Sequence, residues 1–83
     1  MKFAVISTSI SPQGNFVNNT LHGTFDSRDH AVAEFNGQVE REMPYWSNAK
    51  DVGARTIFSA NKKNHSRLII EILVSTHIDD KQG

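Results

Sequence analysis

The chain contains no cysteine. That excludes a disulfide framework, a thiolate metal site and a cysteine nucleophile, and it fits a reducing, cytoplasmic setting. The five glycines, at positions 14, 23, 37, 53 and 83, are too scattered for a phosphate loop or a dinucleotide fingerprint. No apolar stretch nears the roughly 18 residues of a membrane span. The opening Met1-Lys2-Phe3-Ala4-Val5-Ile6-Ser7 has too short an apolar run for a signal peptide, and no small-residue cleavage site follows it. The triplets Asn18-Asn19-Thr20 and Asn64-His65-Ser66 therefore read as chance matches to a glycosylation acceptor. Neither sign of charge is in excess, with nine basic and nine acidic residues, which argues against a general nucleic-acid coat protein.

What remains is one domain of 83 residues, spanning 1–83. A chain of this size buries roughly 60–65% of the surface its unfolded form exposes, so modest stability is expected. The charges are segregated along it. Asp26 to Glu42 holds five acids and two bases, and Lys50 to Arg67 holds five bases and one acid. Such a molecule has a dipolar field that can orient it toward a charged partner.

Lys2 to Ile10 reads as a strand ending at a turn over Ser11-Pro12-Gln13-Gly14-Asn15. Phe16 to Phe25 reads as its hairpin partner, with Val17, Leu21 and Phe25 on one face and a bulge near Gly23. Asp26-Ser27 supplies a helix cap. Ala31, Val32, Phe35, Val39 and Met43 then make an apolar stripe, and Pro44 ends a helix expected over Arg28 to Glu42. A polar, glycine-containing loop is expected after Tyr45-Trp46. Ala54 to Ala60 reads as a third strand, Asn61 to His65 as a turn, and Arg67 to Ile78 as the strongest strand, apolar on both faces except Glu71. A frayed tail is expected from about Asp79. The fold class is thus α+β: a four-stranded, mainly antiparallel sheet with one helix on one face, in the order β-β-α-β-β. The first and last strands are expected at the centre as a parallel pair, with the second and third as edges.

Tests for chemistry fail. The four histidines lack metal-binding spacing, although His77-Ile78-Asp79-Asp80 could supply an imidazole and carboxylates. No serine lies in a nucleophile-elbow pattern. Glu71 reads as facing the open side of the sheet, beside Arg55 or Arg67. No catalytic residue, metal or cofactor is assigned, and an enzyme is not expected.

Two surfaces can bind protein. On the outer ridge of the helix, His30, Ala33, Glu34, Gly37 and Arg41 form a flat strip rimmed by charge, where a partner's backbone could approach. Tyr45 and Trp46, the only Tyr and Trp, follow the helix; Trp46 is expected to be buried and Tyr45 partly exposed as an anchor. The competing reading is a nucleic-acid-binding module in which Lys62, Lys63, His65 and Arg67, with Lys50 and Arg55, contact phosphates while the aromatics stack on bases. Homodimerisation at an edge strand is a third reading.

The Met-Lys-Phe opening strand, the "SPQGN" hairpin, the "FDSRDHAVAEF" step from strand to helix, and the terminal hairpin together resemble small phage-encoded inhibitors of the anti-CRISPR and related anti-defence kind. The resemblance spans the chain and is one of size and layout, so no functional residue is carried over. It implies a non-enzymatic protein that occupies the surface of a larger partner, a host nucleoprotein complex, in the host cytoplasm.

Overall fold

The computed structural model describes residues 1–75. Five strands and one helix follow in the order β1 (Lys2–Ile10), β2 (Val17–Phe25), α1 (Arg28–Glu42), a 3-10 turn (Met43–Tyr45), β3 (Trp46–Asp51), β4 (Arg55–Asn61) and β5 (Arg67–Ser75). The strands form one sheet in the order β2-β1-β5-β4-β3, antiparallel at every junction. The α+β class and the single helix are as expected, but the sheet has five strands rather than four. The expected continuation of the last strand to Ile78, the tail from Asp79 and the group at His77-Asp79-Asp80 lie outside the described residues.

The added strand is β3, read from sequence as a loop. Its residues, Trp-Ser-Asn-Ala-Lys-Asp, are mostly poor strand formers and show no apolar alternation. It forms because β4 offers a paired edge, in register from Trp46–Asn61 to Asp51–Thr56, and because Trp46 anchors its first residue in the core. This strand also overturns the expected parallel central pair. β1 and β5 are neighbours, as expected, but one more traverse reverses the direction of every later strand, so they run antiparallel from Lys2–Ser75 to Ile10–Arg67. The edges are β2 and β3; β4 is internal.

Two local readings hold. The β1–β2 register shifts between Val5 and Ile6, where Gly23 and Leu21 are the respective partners, so His22 is the bulged residue. The bulge sets Phe25 against the core while Val17 and Leu21 stay on the opposite face, rather than all three sharing one face as expected. The Ser27 hydroxyl caps α1, accepting from the His30 amide at 3.4 Å. Asp26 binds Lys2 instead, and that hydrogen bond and charge hold its carboxyl below the usual value of 3.8.

The molecule measures 41 × 26 × 17 Å, room for a sheet and one helical layer. The core lies between them: Val5, Phe58, Leu68 and Ile70 from the sheet, Ala31 and Phe35 from the helix, and Trp46. α1 rests on β1, β2 and β5. Trp46 closes the β4 side, with its ring 5.5 Å from that of Phe58 and its indole N–H donating to Glu42 at 3.1 Å. The expected helix stripe is rotated at its end. Gln38 is buried and donates to Glu34 at 2.6 Å, whereas Met43, where the helix passes into the 3-10 turn at Pro44, is exposed.

Candidate functional site

Strand pairing fixes the two faces, because directly opposed residues share a side. The face under α1 carries Val5, Phe58 and Ile70. The opposite face carries Ile10 and Val17 in one row, and Thr8, Asn19, Ile69 and Ile57 in the next. Leu21, Ile6, Glu71 and Arg55 make the third row, and Ala4 and Leu73 belong to the fourth. No element of the described chain packs over it. Leu21 is 60% exposed, Val17 59% and Leu73 42%. Ala4 is buried yet stands apart from the core cluster, as expected of a small side chain set between larger neighbours on this open face.

The charges on this face are mainly basic. Lys50 opposes Ile57, Arg67 opposes Ile10, and Arg55 opposes Glu71. The Arg55 Nε lies 3.4 Å from Glu71 Oε2, as the sequence reading of Glu71 anticipates.

The basic residues assigned to nucleic acid are therefore divided. Lys50, Arg55 and Arg67 lie on strands of the open face. Lys62, Lys63 and His65 lie at the tip of the β4–β5 hairpin, where the Asn61 carboxamide accepts from the amides of Lys63 and Asn64. The left-handed residues flanking that tip are Ala60 and His65, at φ 61° each. Tyr45 is brought to this tip. Its carbonyl accepts from the Lys62 amide at 3.0 Å, and Lys62 Nζ donates to the Pro44 carbonyl at 3.1 Å. Tyr45 is 60% exposed and Trp46 only 8%, the division expected from sequence; Trp46 thus has no ring face to offer a partner.

His30, Ala33, Gly37 and Arg41 are exposed on the outer side of α1, with Glu34 partly covered. A Cβ at Gly37 would meet nothing within 4 Å, so no packing need accounts for the glycine.

The structure adds one contact that sequence reasoning missed. The bulge turns His22 so that its Nε2 meets the Ser7 hydroxyl. A serine–histidine contact alone is not a catalytic triad, which needs a group to orient the imidazole and donors for an oxyanion. Neither accompanies it among the described residues. No group of three or more metal-ligating side chains gathers among those residues either, and no helix is long and apolar enough to cross a membrane.

Two of the concavities among the described residues are wide and open. One of about 540 Å³ lies between the hairpin tips and is lined by Ile10, Pro12, Phe16, Val17 and Asn64. The other, of about 420 Å³, separates Val32 and Phe35 of α1 from Gly53 and Ala54. No protein-family model matches the chain, and neither a curated protein nor a solved structure matches it significantly.

Proposed function

We propose that this protein is a non-enzymatic binding domain that inhibits or regulates a larger protein by occupying its surface, and that the open sheet face is the contact. The observation that carries this reading is the uncovered apolar band of Ile6, Leu21, Ile57, Ile69 and Leu73, rimmed by Lys50, Arg55 and Arg67. Contiguous apolar surface with a polar rim is the usual anatomy of a protein interface. The occupant that fits is a protein patch with an apolar centre and an acidic border, because Lys50, Arg55 and Arg67 outnumber Glu71 around the band, with Lys2 paired to Asp26. The partner class in this reading, a large host nucleoprotein complex in the cytoplasm, rests on the resemblance in size and layout to anti-defence inhibitors. The helix ridge at His30, Glu34, Gly37 and Arg41 and the exposed Tyr45 are secondary contacts in this reading.

The test is affinity capture from host lysate, with and without nuclease, using the wild-type chain, Leu21→Asp/Leu73→Asp and Tyr45→Ala. Leu21 and Leu73 are exposed, so the double variant should fold. The reading expects a defined protein retained after nuclease treatment and lost with the double variant. Retention by the double variant moves the contact off this face.

One observation favours a nucleic-acid module as the second reading: exposed Tyr45 is joined to the Lys62 backbone, which sets an aromatic ring beside a basic tip. It predicts salt-sensitive binding of single strands that is lost in Lys62→Ala/Lys63→Ala. Binding unaffected by that change would eliminate it.

A further inference from the structure

The geometry points to the free edge of β2 as a self-pairing edge that joins two copies of this chain into one continuous antiparallel sheet. The pairing uses the backbone edge of β2 and not the sheet face, although Leu21 belongs to both surfaces.

The two edges of the sheet are guarded unequally. β3 is six residues long and carries Lys50 and Asp51. β2 is nine residues long and contains no Asp, Glu, Lys, Arg or Pro. Natural edges are usually blunted by charge, proline, shortness or a bulge. On β2 the only such device is the bulge at His22-Gly23, toward its end. The stretch from Val17 to Leu21 is regular and unguarded.

The backbone of that stretch is aimed outward at alternate residues. The Ser11 amide donates to the Phe16 carbonyl, so Ser11–Phe16 is a hydrogen-bonded pair of the β1–β2 ladder. Alternation then turns the backbone groups of Asn18 and Thr20 toward β1, and those of Val17, Asn19 and Leu21 away from it. The far side of the sheet agrees. Ile72 donates to Ala54, so even-numbered residues of β5 face β4, odd-numbered ones face β1, and even-numbered residues of β1 face β5.

Val17, Asn19 and Leu21 also share the open face. Asn19 is held there by Thr8 Oγ1, which donates to its carboxamide at 2.8 Å. A two-fold axis beside Asn19 would place Val17 of each copy opposite Leu21 of the other, and Asn19 opposite its own copy. That register satisfies the outward amides and carbonyls of all three residues, with about six bonds between copies. It covers two of the most exposed apolar side chains in the molecule, and no charge opposes itself across the axis. An edge contact buries less than the roughly 1,200 Å² typical of stable complexes, so the pairing is a weak one.

The experiment combines sedimentation equilibrium with cysteine cross-linking on the full chain. The native protein has no cysteine, so the background is clean. The wild-type mass should rise from 9.3 kDa toward twice that value with concentration. Asn19→Lys, which sets like charges opposite each other at an exposed position, should weaken the dimer at least tenfold. Ser47→Lys on the other edge should leave it unchanged. Under mild oxidation Asn19→Cys should form covalent dimer at least tenfold faster than Asn18→Cys, whose side chain is on the opposite face. A mass fixed at 9.3 kDa into the millimolar range overturns the inference. So does a dimer sensitive to Ser47→Lys but not to Asn19→Lys, or equal cross-linking at positions 18 and 19.

Discussion

The two faces of the sheet differ less in their residues than in what covers them. On one, Val5 and Phe58 are fully buried beneath α1 and Trp46. On the other, Ile6, Ile57 and Ile69 are only partly covered, by their neighbours, and Leu21 and Leu73 stand in solvent. β5 supplies apolar residues to both. A strand with that pattern is normally buried on both sides. In this molecule the described residues cover one side and leave the other open. Apolar side chains on the covered face should matter for folding, and those on the open face for association.

That division can be broken most easily at its centre. Phe58→Ala removes a fully buried ring and should cost about 3–5 kcal/mol, enough to unfold much of a small domain at 25 °C in a urea titration. A loss below about 1 kcal/mol would mean that the covered face is not the main core. Trp46→Phe should cost about 1–2 kcal/mol, through lost volume and the lost bond to Glu42, whereas Tyr45→Ala should stay within about 0.5 kcal/mol. Similar losses at the two positions would erase the distinction between plug and anchor.

Gly37→Ala sharpens the comparison from the helix side. With open space where its Cβ would sit, the change should raise stability by about 0.5–1 kcal/mol. If partner binding is unchanged as well, the outer ridge serves only as scaffold. The smallest expected effect is electrostatic. The Asp26 carboxyl is held below 3.8 by Lys2, so its contribution is present at neutral pH and is lost as pH falls through the depressed value. Asp26→Asn should therefore lower the melting temperature slightly at pH 7, and the two curves should converge as pH falls below the depressed value. A gap between wild type and variant that widens toward acid would reverse the assignment.

Legibility in the sequence followed the strength of the local signal. The β1–β2 hairpin, the bulge near Gly23 and the limits of α1 were readable, because Pro12, Gly14, Ser27 and Pro44 punctuate the chain chemically. β3 was not readable, since Ser47, Asn48, Lys50 and Asp51 have no apolar period and the strand exists through its pairing with β4. That one omission also changed the direction of β5. The open face was within reach: Ile6, Leu21, Ile57 and Ile69 are all visible in the sequence, but their common side depends on the register of four strands. The basic segment divides in space for the opposite reason. Residues close in sequence, such as Lys63 and Arg67, belong to a hairpin tip and to the start of the strand that follows it.

The Arg55–Glu71 pair lies within the otherwise apolar face, with the Glu71 side chain 22% exposed. While the face is open, Arg55 lies beside that carboxylate and its exposure leaves it accessible to solvent. A partner offering only hydrocarbon would strip its water away and return nothing, a penalty of several kcal/mol. A partner with a donor at that point would lose little. If the proposed contact is made at this face, the ion pair would act as a password set in a sticky surface, rejecting indiscriminate apolar contacts and admitting a ligand that answers one carboxylate.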